Sequence, residues 1–254
     1  MDKKLILVHG DKGGVGKSTL ASLIIDAALE FGKVAVVEGD EKIDDVSSRF
    51  EGVQGVTGFM VDLARPDASE EAVIALFEEL EGAGLPDTVV VNTPASASAT
   101  LDRQAAVLVE AAHDLGYGVR VAWMLGPDEA SAALSGESEL CRLADRKVAV
   151  VNERFGDAKR FAWSKHSARQ AWAASGGVES ALPHLTDRAI TAVQDHPGRY
   201  SVLAAPGSPI STITRKYIME WVNKAWTGPV ALMLADDQTH TPGGHPPGFT
   251  SRAE

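Results

Sequence analysis

The chain has 254 residues, 44% of them hydrophobic and 23% charged, with a net charge of −11 and a pI near 5.1. That balance suits one globular domain with its own core and argues against a surface coated in positive charge for nucleic acid. A single cysteine, Cys141, excludes an internal disulfide, and the absence of a signal-peptide pattern or of any apolar run near the ~18 residues that span a bilayer predicts a soluble cytoplasmic protein.

In chain order, Lys4 to His9 reads as a short buried strand. Lys17 to Phe31 carries Leu20, Leu23, Ile24 and Ala27 at helical spacing, and Gly32 stops it. Val34 to Val37 is a second strand, ending in Glu38-Gly39-Asp40. Ser69 to Glu81 is an acidic amphipathic helix. Thr88 to Val91 is a third strand, closed by Asn92-Thr93-Pro94. A helix over Leu101–Leu115 precedes a fourth strand at Val119–Leu125. Pro127 to Ala144 is helical in pattern, weakened by Gly136, and Val148 to Val151 is a fifth strand followed by Asn152. A helix is expected from Asp157 to Ser175 with Lys159, Arg160, Lys165 and Arg169, its Trp163 and Trp172 serving as core or interface residues. The final helix is expected from Ile210 to Trp226, with Arg215, Lys216 and Lys224. The Pro- and Gly-rich stretch beyond sets a division into one domain, 1–227, and a flexible tail, 228–254.

Short apolar strands without polar alternation, separated by helices, call for an α/β fold: a doubly wound, mostly parallel sheet covered by helices on both faces. Ligands in such sheets bind beyond the carboxyl ends of the strands, where Gly10, Asp40, Asn92 and Asn152 all fall.

The chemistry is concentrated between the first strand and the first helix, in Asp11-Lys12-Gly13-Gly14-Val15-Gly16-Lys17-Ser18-Thr19. The strict phosphate-loop pattern is Gly, four residues, then Gly-Lys-Ser/Thr, and Asp11 occupies the first Gly position. The physics survives the change. Three glycines let backbone N–H groups approach phosphate oxygens, and the helix start adds its positive dipole end. Lys17 supplies a point charge, and the Ser18 hydroxyl is a Mg²⁺ ligand.

With its extra Lys12, the loop resembles the deviant Walker A motif of the ParA/MinD class of P-loop ATPases, over residues 1 to 95 and, by order of elements, 119 to 155. The resemblance implies ATP and Mg²⁺ as cofactors and a nucleotide-sandwich homodimer in which Lys12 reaches the partner's phosphates. It implies catalytic roles for Lys12, Lys17 and Asp40, with Asp40 orienting the attacking water. Asn92 stands where the family has its Walker B aspartate. An amide there can hold a water on Mg²⁺ but brings no charge, so hydrolysis is expected to be slow. The resemblance further implies metal contacts from Ser18, Asp40 and Asn92, adenine recognition by Asn152, and packing of Pro183 over the base.

The function this implies is cargo positioning or plasmid partition, through non-specific DNA binding by the two basic clusters and hydrolysis stimulated by an adaptor or DNA-binding partner. The alternatives are a metabolic ligase or kinase on the same fold, and a nucleotide-switched protein adaptor with little hydrolysis. A metal-cluster carrier would need paired cysteines, and a membrane-positioning protein would need a basic amphipathic C-terminal helix; neither is present in the sequence.

Overall fold

A computed structural model of the chain describes residues 2–40 and 44–236. Seven strands form one sheet: β1 (Lys3–His9), β2 (Val34–Glu38), β3 (Val56–Met60), β4 (Thr88–Asn92), β5 (Tyr117–Leu125), β6 (Arg146–Asn152) and β7 (Val178–Leu182). Their order is β3-β2-β4-β1-β5-β6-β7, and every pairing is parallel. This is the doubly wound α/β architecture of P-loop nucleotide-binding proteins. β1 lies between β4 and β5, where successive connections change direction, so the loop after it opens at the crevice that such sheets use for ligands.

Alternation along the central strands sorts the core into two layers. Ile6, Val8, Val34 and Val36 face α1 (Lys17–Ala28), which packs with α7 (Asp187–Gln194), α8 (Tyr200–Ala204), α9 (Thr212–Ala225) and α10 (Ala231–Leu234). Leu5, Leu7, Ala35 and Val37 face the opposite layer, built from α2 (Ser69–Gly82), α3 (Ser98–Asp114), α4 (Glu129–Glu137), α5 (Glu139–Leu143) and α6 (Ser167–Ala174). Strands covered on both sides are mostly apolar, as the sequence reading required, with polar exceptions near their ends and Arg120 within β5.

Three differences from the sequence expectations have physical causes. β3 and β7 are the sheet edges, partly exposed, and lack the continuous apolar run by which the inner strands were recognised. The expected helix over Asp157–Ser175 is two 3₁₀ turns followed by the short α6. Phe161 and Trp163 both enter the core from positions two apart, which one α-helical face cannot present. The Pro127–Ala144 helix breaks at Ser138, whose side chain caps the second piece through the Cys141 N–H.

The domain also runs past residue 227. A kink at Gly228-Pro229 leads into α10, and Val230, Met233 and Leu234 are buried. At the opposite end of the sheet from the crevice, cations on three strands close over this segment. Arg120 donates to the carbonyls of Met233 (2.7 Å) and Ala235 (2.6 Å), Arg146 to that of Leu232 (2.9 Å), and Lys4 to the Asp236 carboxylate (2.9 Å). They meet the negative end of the helix dipole. The remainder of the expected tail, 237–254, lies outside the described residues.

Candidate nucleotide-binding site

A cavity of about 960 Å³ opens at the carboxyl ends of the strands. The loop from Gly10 to Gly16 forms its floor. Gly10 has φ +144°, and a Cβ there would meet the Met124 carbonyl oxygen at 2.6 Å. Gly16 has φ +104°, and a Cβ there would meet the Asn152 amide nitrogen at 2.5 Å. Only glycine allows the loop to pass between β1 and these neighbours. Gly13 and Gly14 have open space around them, so their backbone is accessible to phosphate oxygens, and no side chain caps the first turn of α1.

Lys17 folds back into the loop. Its Nζ donates to the carbonyls of Gly10 (2.9 Å) and Lys12 (2.8 Å), and burial pulls its pKa down to about 8, opposed by the nearby Asp11 carboxylate. A buried ammonium satisfied by carbonyls and surrounded by accessible amides is a site for an anion that would restore its charge.

Asn92 and Glu38 form the second feature. They are register partners on adjacent strands, and both are buried. The Asn92 Nδ2 donates to Glu38 Oε2 at 2.8 Å and lies 3.4 Å from Ser18 Oγ. The other Glu38 oxygen accepts the N–H groups of Val46 (2.6 Å) and Ser47 (3.0 Å). Burial raises the Glu38 pKa, and its hydrogen bonds with Asn92, Val46 and Ser47 pull it back. Asn92 Oδ1 is buried without a hydrogen-bond partner among the described residues. A hydroxyl, an amide oxygen lacking a donor and an adjacent carboxylate form an all-oxygen set that suits Mg²⁺ and its waters.

The remaining expected site residues divide. Gly13, Gly14, Gly16, Lys17, Ser18, Thr19, Asp40, Asn92, Asn152 and Pro183 all line the cavity. Val15 is buried below it, and its carbonyl accepts the Asn152 Nδ2 at 2.9 Å. Asn152 Oδ1 accepts the Arg154 N–H at 3.0 Å. Its amide nitrogen therefore braces the phosphate loop, while its oxygen holds the turn that follows β6. The Pro183 carbonyl accepts the Trp221 indole N–H at 2.8 Å, fixing that loop against α9.

Asp11 and Lys12 point elsewhere. The Asp11 carboxylate accepts the Ser98 hydroxyl at the start of α3. Ser98 Oγ also lies 3.1 Å from His9 Nε2, while His9 Nδ1 is 2.8 Å from Thr93 Oγ1. Thr93 donates its own proton to the Val8 carbonyl. Burial, with Lys17 nearby, drives the His9 pKa down to about 3. Lys12 is half exposed and forms an ion pair with Asp128, the residue that caps α4.

Sequence reading did not single out Glu38, Asp128 or His9 as site residues. For Glu38 the signal was present: an ionisable residue ends an otherwise apolar strand. Asp128 had no comparable mark, because its pairing with Lys12 spans 116 positions.

The phosphate loop and the parallel sheet define a P-loop nucleotide-binding fold. No family model and no curated protein matches the chain in sequence. Among solved structures it is similar to the septum site-determining protein MinD of Pyrococcus horikoshii, complexed with Mg-ADP, at 16% identity and TM-score 0.48 over 86% of this chain and 95% of that one. It is similar to a plasmid partition protein of Borrelia burgdorferi, at 15% identity and TM-score 0.47 over 89% and 97%. It also resembles FtsY of Mycoplasma mycoides, at 11% identity and TM-score 0.44, over 64% of this chain and 56% of that one. Among the described residues no helix is long and apolar enough to cross a membrane.

Proposed function

We propose that this chain is an ATP- and Mg²⁺-binding ATPase of the ParA/MinD type, acting as a nucleotide-dependent homodimer that positions cargo such as plasmid DNA. The observation that carries the reading is the division of labour between the two loop lysines. Lys17 lies buried at the floor of the phosphate cradle, whereas Lys12 stands outside the cavity at the surface, where a second subunit could take it. Ser18, Asn92 and Glu38 would hold Mg²⁺, which neutralises phosphate charge when bound, and Asp40, which lines the same cavity, would orient the attacking water.

The DNA arm has less support than the nucleotide arm. Arg169 is paired with Glu179 (2.8 Å) and Lys224 with Glu220 (2.7 Å), while Arg215 bonds the Ala205 carbonyl and Thr212. Lys159 and Arg160 sit on one 3₁₀ turn and Lys165 on the next. These pairings and the net charge of −11 favour a second reading, a nucleotide-switched adaptor whose surface partner is a protein.

The test combines nucleotide, dimer and surface. Lys17→Ala abolishes binding of a fluorescent ATP analogue, and Lys12→Ala retains it while losing ATP-dependent dimers in light scattering. Unchanged affinity in the first variant overturns the nucleotide site, and unchanged dimers in the second overturn the sandwich. ATP-dependent co-sedimentation with DNA, absent with ADP and with anionic liposomes, supports the positioning role. Its absence leaves the adaptor reading.

A further inference from the structure

Asn92 meets an acid from the neighbouring strand. Parallel pairing of β2 with β4 brings Glu38 and Asn92 into direct register, and both end their strands at the cavity. Neighbouring side chains on one sheet face are separated by only ~5 Å. Here the contact closes to a hydrogen bond of 2.8 Å from amide to carboxylate. The amide orientation is forced, because turning Asn92 over would set its oxygen against the carboxylate. Its Oδ1 then remains buried without a donor among the described residues, which is costly for a polar atom. A native chain retains such an atom where something else bonds to it, and the hydroxyl of Ser18 beside the same amide identifies the region as one for a hydrated cation.

We propose that the divalent-cation site of this chain is charge-transposed: Glu38 on β2 carries the negative charge, and Asn92 on β4 is a neutral link that orients Glu38 and offers its free oxygen to a cation-bound water. This rests on the nucleotide-binding reading above. The transposition ties the cation to a different part of the chain. Glu38 also accepts the N–H groups of Val46 and Ser47, so the charge at the cation and the placement of the segment from Asp44 to Phe50 are joined through one carboxylate. A carboxylate on β4 would make no such connection.

The experiment measures metal dependence separately from turnover. The full chain is titrated with fluorescent ADP in EDTA and then with Mg²⁺, and Mn²⁺ binding to the same complex is followed by electron paramagnetic resonance. Glu38→Gln keeps an acceptor for Val46 and Ser47 and removes the charge. It is expected to bind ADP in EDTA as the parent does and to need roughly 10–100-fold more Mg²⁺ or Mn²⁺, the usual loss when an outer partner of a metal site is removed. Adding Asn92→Asp in the Glu38→Gln background returns the charge to β4 and restores the metal midpoint. A Glu38→Gln midpoint equal to the parent's overturns the transposition while leaving nucleotide binding intact. Failure of the parent to bind ADP at all overturns the nucleotide reading on which it rests.

Discussion

The buried state of Lys17 predicts a nucleotide affinity that depends on pH. Without ligand, burial holds the ammonium at a pKa of about 8, below the ordinary 10.5. Bound phosphates favour the charged form, so above pH 8 the complex must take up a proton that the free protein has lost. Each pH unit then costs about 1.4 kcal/mol, or tenfold in affinity. Between pH 7 and 9.5 the dissociation constant should rise about thirtyfold, roughly 2 kcal/mol. For the ligand-free protein the sign is reversed. The cost of a buried charged lysine is fully present below pH 8 and is relieved as pH rises from 8 towards 10.5. Titrations with fluorescent ADP in EDTA across this range give the slope, and calorimetry in buffers of different ionisation enthalpy counts the protons. Lys17→Arg keeps its charge throughout, so it should bind more weakly at neutral pH, having lost the compact ammonium, and show a flat profile. A flat profile for the parent, or the same slope in both proteins, refutes the argument.

Other outcomes follow from the same geometry. His9 is neutral when folded, so stability is lost as pH falls from about 6.5 towards 3. By pH 4.5 the loss should reach about 2–3 kcal/mol, and a smaller loss for His9→Asn in denaturant titrations checks the assignment. Asn92→Asp alone sets two carboxylates against each other; its melting temperature without metal should fall and recover with Mg²⁺ and ADP, by thermal shift. Gly16→Ala forces a Cβ onto the Asn152 amide at a φ unfavourable to alanine, and should weaken nucleotide binding even where circular dichroism shows an intact fold. Ending the chain at residue 225 strips the carbonyls from Arg120 and should cost on the order of 3–5 kcal/mol, read by chemical denaturation.

The parts of the molecule legible in sequence were those fixed by local pattern. The loop from Asp11 to Thr19 announces itself because phosphate binding needs glycines and a lysine at set offsets, and β1, β2, β4, β5 and β6 because strands buried on both faces are continuously apolar. The edges β3 and β7 escape that rule. Long-range pairings leave almost no trace: Glu38 with Asn92 is a consequence of strand order, and Lys12 with Asp128 of the adjacency of β1 and β5. Asn152 was recognised as belonging to the site, but the direction of its amide towards Val15 depends on the depth at which β6 ends, which composition does not encode.

The cations of Lys4, Arg120 and Arg146 set an order of events during synthesis. Arg120 is buried on a central strand, yet the carbonyls it meets are made more than a hundred residues later. A nascent chain that stops short of α10 must leave this end of β1, β5 and β6 open to water or bury charge without its partners. The sheet can assemble from its middle, but it cannot seal until residues 232–236 have left the ribosome. The nucleotide crevice at the other end, whose loop emerges first, would then become rigid only when the opposite end of the same strands is closed.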